Sequence, residues 1–174
     1  MSIDSWKIID DNYLNYLRRI EGRIPLTNYG SDKMKPFFGS LFEVDNLIYV
    51  TQVSSPKPRH ATMKNSIDFH KYYFKNRLVG VVNLNYMFPV PKPYINDLIY
   101  SQIDKYKTFP SEKAKYDYIC FLKLQLAEIQ QLNIEKDAFK LYNMKYDKPN
   151  SPLSKRCFDF KQLEEYAKQF KSIV

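Results

Sequence analysis

The chain has 174 residues, 44% hydrophobic and 16% aromatic, enough for one packed core and too apolar for disorder over most of its length. Lys and Arg number 27 against 19 Asp and Glu, a formal net charge of +8, so a polyanion leads the candidate partners and nucleic acid leads the polyanions. No stretch approaches the roughly 20 apolar residues of a membrane span, and Met1 to Lys7 lacks an apolar signal core, so one cytoplasmic domain over residues 1–174 with no membrane partner is expected.

Trp6 to Ile9 reads as a short strand, after which Asp10 or Asp11 can cap a helix whose Tyr13, Leu14, Leu17 and Ile20 recur at helical spacing. Gly22 and Pro25 end it, and Leu26 to Met34, with Asn28, Tyr29, Gly30, Ser31 and Asp32, reads as a loop able to lie over a site. Pro36 to Val53 predicts a hairpin turning at Asp45-Asn46, followed by a basic loop from Ser54 to Lys64 and a partly extended Asn65 to Phe74. Gly80 to Phe88 predicts one central strand, and Pro89, Pro91 and Pro93 then forbid ladder pairing as the chain leaves the sheet. An apolar-striped helix opens at Pro110-Ser111 and runs to Leu132, and a second spans Ile134 to Tyr146. Lys148 to Lys155 reads as a loop, and Asp159 with Gln162 resembles a capping box for a last helix, Phe160 to Phe170. Strands first and helices second make an α+β chain with a helical C-terminal half.

Several chemistries are disfavoured. The 4 glycines form neither Gly-x-Gly-x-x-Gly nor a Lys-Ser/Thr phosphate loop, so no nucleotide cofactor is expected. His60 and His70 are the only histidines, stand in no metal-ligand spacing and join no carboxylate cluster, so no metal is expected either. Gly-x-Ser-x-Gly is absent, and Cys120 and Cys157, far apart, read as inert thiols.

What remains is Ser54-Ser55-Pro56-Lys57-Pro58-Arg59-His60 at a strand end, followed by Lys64, Lys71, Lys75 and Arg77. Ser54 to Arg77 holds six Lys or Arg and one acid, Asp68, a net +5 of the total +8, which suits a phosphate-binding surface. A solvated turn shaped by its prolines is the plain alternative. RNA carries its own nucleophile, the 2′-OH, so its cleavage needs only a base, an acid and donors aimed at the charge developing on phosphorus. Tyr29, Lys35, Ser54, Ser55 and Lys57 are the available set if the Tyr29 loop folds over the strand ends. Tyr72, Tyr73 and Phe74, beside Lys71 and Lys75, are candidates for stacking unpaired bases.

The order of motifs resembles the ToxN/AbiQ family of endoribonuclease toxins from type III toxin-antitoxin and phage-abortive systems. The resemblance lies in Lys35-Pro36-Phe37-Phe38-Gly39, Ser54-Ser55-Pro56-Lys57, Gly80 to Pro89, and Cys157-Phe158-Asp159-Phe160 with Leu163-Glu164-Glu165-Tyr166, with Tyr13 and Tyr29 also in register. It implies a twisted, mainly antiparallel sheet akin to the MazF and Kid toxins, surrounded by helices. It further implies metal-independent, sequence-preferring cleavage of cellular or phage RNA that leaves a 2′,3′-cyclic phosphate. The implied partner is a small repeat RNA antitoxin, folded as a pseudoknot, which the toxin cuts from its precursor and with which it can close into RNA-protein rings. By the same resemblance Ser55 matches an essential serine, Ser54 a hydroxyl position, and Lys57, Lys35 and Tyr29 the basic and aromatic residues around it. In that assignment Ser54 and Ser55 hydrogen-bond non-bridging oxygens, Lys57 neutralises the phosphorane, and Lys35 with Tyr29 handles proton transfer. Arg59 stands where some members carry a large aromatic, which favours a phosphate contact there. His60, Lys64, Lys71, Lys75 and Tyr13 complete the expected RNA-binding set. A non-catalytic basic RNA-binding module is the alternative, and a DNA-binding or membrane-surface protein a more distant one.

Overall fold

The computed structural model describes residues 3–30 and 33–171; Ser31 and Asp32 of the expected loop, and Met1 and Ser2 at the start, lie outside the described residues. Among the described residues eight strands form one antiparallel sheet: β1 (Ser5–Ile9), β2 (Phe37–Gly39), β3 (Glu43–Val44), β4 (Leu47–Ser54), β5 (Phe69–Phe74), β6 (Arg77–Asn83), β7 (Phe88–Pro91) and β8 (Ile95–Asp97). Their order is β5-β6-β4-β2-β1-β8, with β3 and β7 also paired to β4. The long β4 is therefore the hub. Its first half pairs with β3 and β7, Thr51 and Gln52 pair with β2, and Val53 and Ser54 pair with β6. The Ser54-Ser55 corner thus leaves the sheet from a strand held on both sides.

Among the described residues five α-helices pack around it: α1 (Asp11–Arg18), α2 (Glu112–Gln131), α3 (Ile134–Asp147), α4 (Pro152–Arg156) and α5 (Phe160–Gln169). Their ends follow local chemistry. The Asp10 carboxylate accepts the backbone N–H of Asn12 at 2.8 Å and of Tyr13 at 3.1 Å, which starts α1 one residue later. Ser111 caps α2 and Asp159 caps α5 in the same way, and Asn133, at φ 50°, separates α2 from α3. An aromatic cluster joins sheet to helices: Phe42 and Tyr49 stack at 4.4 Å, and the buried Tyr49 hydroxyl donates to Glu164 of α5 at 2.7 Å. Burial, then that carboxylate, pushes the Tyr49 phenol far above its ordinary range, so it stays a neutral donor.

The expected α+β architecture is present, and four local readings need correcting. The first arm of the hairpin is interrupted at Ser40–Phe42, although the turn is at Asp45-Asn46, whose φ values of 51° and 64° suit a tight hairpin turn. Gly80 to Phe88 is not one strand: β6 ends at Asn83, a 3₁₀ turn covers Leu84–Tyr86, and β7 begins at Phe88. The prolines do not forbid pairing, because Pro89 and Pro91 stand opposite Tyr49 and Leu47 in the ladder with β4. The Pro89 carbonyl accepts the Tyr13 hydroxyl, so that residue's backbone polar side faces away from β4, and its missing N–H costs the ladder nothing. Finally, the expected loop from Lys148 to Lys155 contains α4, capped by Ser151 with Pro152 at its first position.

Candidate active site

The loop from Leu26 to Lys35 is fastened by one buried amide. Gln52 of β4 is 8% exposed; its Nε2 donates to the Leu26 carbonyl at 2.7 Å and to the Lys35 carbonyl at 2.8 Å, using both amide protons. Its Oε1 accepts from the Tyr29 hydroxyl at 3.3 Å, and that hydroxyl in turn accepts the Leu26 N–H at 3.0 Å. The Lys35 N–H donates to the Thr27 carbonyl at 2.7 Å, so the loop closes on itself. The Lys35 ammonium then lies 5.4 Å over the centre of the Tyr29 ring.

The facing loop is fastened by an imidazole. His60 belongs to the 3₁₀ turn Pro58–Ala61 and is 3% exposed, its ring centre 5.4 Å from that of Phe69. The Lys57 N–H donates to His60 Nδ1 at 3.0 Å and the His60 N–H donates to the Lys57 carbonyl at 2.8 Å. Lys71 Nζ donates to the His60 carbonyl at 3.2 Å. Burial, followed by the charges of Arg59, Lys57 and Lys71, holds the His60 pKa below the ordinary imidazole value.

Between the loops lie two cavities that share Lys35. One, of about 300 Å³, is lined by Tyr29, Lys35 and Ser54 together with Gln52, Arg23 and Tyr86. The other, of about 190 Å³, is lined by Lys35 and Ser55 and by residues of α2. Ser54 and Ser55 fall on opposite sides of Lys35 because consecutive residues of an extended chain alternate faces. An ammonium beside two hydroxyls and a phenol can bind a phosphodiester by charge-assisted hydrogen bonds.

Four of the expected catalytic residues, Tyr29, Lys35, Ser54 and Ser55, are thus brought together. Lys57 is exposed two residues beyond and lines neither cavity. Arg59, Lys64 and Lys75 are exposed and Lys71 is half-buried, so four cations follow the site along the chain. Two expected RNA contacts are corrected. Tyr13 is fully buried on the inward face of α1, where its hydroxyl binds Pro89, and His60 is spent on holding its own loop. Tyr72 is buried as well, whereas Tyr73 and Phe74 are exposed, the Phe74 ring 5.5 Å beneath Lys75 Nζ. Asp68, the one acid in the basic stretch, is buried and takes the Arg156 guanidinium at 2.9 Å, which leaves the cations unopposed by it.

The pattern of residue types does not single out Gln52, Arg23 or Tyr86. A lone amide within the apolar Leu47 to Val53 was the available signal for Gln52. Arg23 lies 5.2 Å over the Phe158 ring and 6.0 Å over the Tyr86 ring, contacts between segments far apart in the chain. Among the described residues no three His, Cys, Asp or Glu side chains meet as a metal site, and no helix is long and apolar enough to cross a membrane. Both cysteines are free, and burial pushes the Cys157 thiol up to about 11.

The family model described as Toxin ToxN, type III toxin-antitoxin system, matches residues 5–168. The chain is 22% identical over 120 residues to the Endoribonuclease ToxN of Pectobacterium atrosepticum, covering 66% of this chain and 68% of that protein. Its fold matches AbiQ, a lactococcal anti-phage endoribonuclease belonging to the type III toxin-antitoxin system, at a TM-score of 0.73 and 20% identity over 97% of this chain and 98% of that one. It also matches a chain solved in a study of selective toxin inhibition by a non-coding RNA pseudoknot in bacterial type III systems, at a TM-score of 0.72 and 19% identity over 97% and 98%. The chain belongs to the ToxN toxin family of type III toxin-antitoxin systems.

Proposed function

We infer that this chain is a single-domain, cytoplasmic endoribonuclease toxin that cuts RNA in a sequence-preferring way without a metal ion, and that a small RNA antitoxin silences it. The observation that carries this reading is Lys35, with Tyr29 and Ser54 in one cavity and Ser55 in the next. In the reaction the ribose 2′-oxygen loses its proton and bonds to the adjacent phosphorus. The bond from phosphorus to the 5′-oxygen breaks, that oxygen takes a proton, and a 2′,3′-cyclic phosphate remains. Ser54 and Ser55 hydrogen-bond the non-bridging oxygens, Lys35 with Tyr29 moves protons, and the exposed Lys57 swings in to neutralise charge on phosphorus.

Arg59, Lys64, Lys71 and Lys75 hold the phosphates that follow, which positions the strand without reading its sequence. A pseudoknotted antitoxin offers the same chemistry, so it occludes the same basic rim after the toxin has cut it from its repeat precursor, and rings of the two follow when one RNA bridges two proteins. Release of the toxin during phage infection would cut cellular or phage RNA.

The purified protein on a long RNA in EDTA tests this. Expected are discrete cuts ending in 2′,3′-cyclic phosphate, slowed by about 10²-fold or more in Ser55→Ala. No cutting, or cutting only after magnesium is added, defeats the reading and leaves a basic RNA-binding module.

A further inference from the structure

We propose that the cleft on the Ser55 side of Lys35 is a base-reading subsite, in which Gln125 reads the edge of an unpaired nucleobase of the substrate RNA beside the scissile phosphate and Phe121 stacks on its face. This rests on the cleavage reading above, since the cleft is continuous with that site: Lys35 and Ser55 belong to its lining.

The far wall is α2, and it is fixed. Trp6, itself buried in the sheet, donates its indole N–H to the Leu122 carbonyl at 2.8 Å, and the Tyr118 hydroxyl donates to the Met34 carbonyl at 3.2 Å. The helix is therefore tied both to β1 and to the loop that carries Lys35. Gln125 is fixed in turn. Its Nε2 donates to the Tyr72 hydroxyl at 2.8 Å, and Tyr72 is 2% exposed. That phenol lies directly over Gly80, where a Cβ would come within 2.1 Å of its oxygen, so only glycine admits it.

A side-chain amide has two donor protons and one acceptor oxygen; with one proton spent on Tyr72, Gln125 keeps an N–H and a C=O. That pair matches the donor-acceptor edge of a base. Phe121, one turn earlier on the same helix and 45% exposed, supplies a π-face beside it. At about 190 Å³ the cleft accommodates one flat heterocycle. An apolar peptide would use Phe121 and leave the amide, the ammonium and the hydroxyl without a role.

The test is cleavage of a randomised RNA pool, with the cut ends sequenced. Gln125→Glu keeps the bond to Tyr72, whose hydroxyl then donates, but replaces the remaining donor with an acceptor. Its expected result is a change of roughly fivefold or more in base preference at one position beside the cut, the scale of one bidentate base contact. Gln125→Met, which has neither group, is expected to level the preference at that same position and covers the case in which the added charge makes the glutamate variant too slow to map. Phe121→Ala, at a half-exposed position, is expected to raise KM on every sequence with kcat nearly unchanged. Variants that cut with the wild-type preference at every position, or a Phe121→Ala enzyme with unchanged KM, overturn the proposal. So does weakened antitoxin binding with unchanged preference, which would give the cleft to another occupant. Failure of the wild-type protein to cut at all is a different result, and it removes the cleavage reading itself.

Discussion

The loop from Leu26 to Lys35 is fastened to the sheet by an amide, whereas the loop from Ser54 to Lys64 is closed on itself by an imidazole. Gln52 satisfies two carbonyls and a hydroxyl at every pH. His60 accepts the Lys57 N–H through Nδ1 only while that nitrogen is unprotonated. The two halves of one site therefore differ in their sensitivity to acid. Because the folded-state pKa of His60 lies below the ordinary 6.5, the unfolded chain binds the proton more readily, and the stabilisation is fully present above that value. It is lost as pH falls from there toward the lower folded-state value.

The largest expected effect separates chemistry from scaffolding. Lys35→Ala should lower the single-turnover cleavage rate by about 10²-fold to 10⁴-fold while lowering RNA affinity much less, measured on the same RNA. A loss of affinity with the rate preserved would make Lys35 a clamp. Next comes the amide: Gln52→Leu leaves the Leu26 and Lys35 carbonyls without their donor and should cost about 2 kcal/mol in a urea melt, together with tenfold or more in cleavage rate. Gln52→Glu should fail to rescue it, since both carbonyls require a donor; rescue would break the account of that loop.

The imidazole should show a smaller loss with a pH signature. His60→Phe keeps the packing against Phe69 and removes the acceptor, so about 1 kcal/mol of stability above the ordinary imidazole value should disappear, and with it the part of the acid-dependent loss of stability that His60 carries. An NMR titration of His60 at or above the ordinary imidazole value would erase the contrast between the loops. The smallest effect belongs to the rim. Arg59→Ala should leave cleavage at low salt nearly unchanged and reduce the slope of log affinity against log salt by about one.

Much of the fold is legible because its signals are local. Asp10, Ser111 and Asp159 each accept N–H groups two or three residues away, and Asp45-Asn46 turns on its own backbone preferences. The site was legible in part. Elimination of other chemistries and the order of motifs point to Tyr29, Lys35, Ser54, Ser55 and Lys57; the first four meet only through partners elsewhere in the chain, and Lys57 lines neither cavity. Residue type alone puts Tyr13 and His60 at the RNA surface, because polar tips on aromatic rings serve the interior as readily as a ligand, and only their bonds to Pro89 and Lys57 decide which.

By itself, then, the sequence determined the helix ends, the hairpin turn, the basic balance and the residue types capable of acting on RNA, all set by neighbours within a few residues or by composition. Tertiary structure alone decided that β4 serves as hub, that Pro89 and Pro91 can pair with it, and that Gln52 and Gln125 are aimed by bonds to residues from 17 to 53 positions away. A hydrogen bond between distant segments depends on the whole sheet being assembled first, and no local pattern of side chains encodes that.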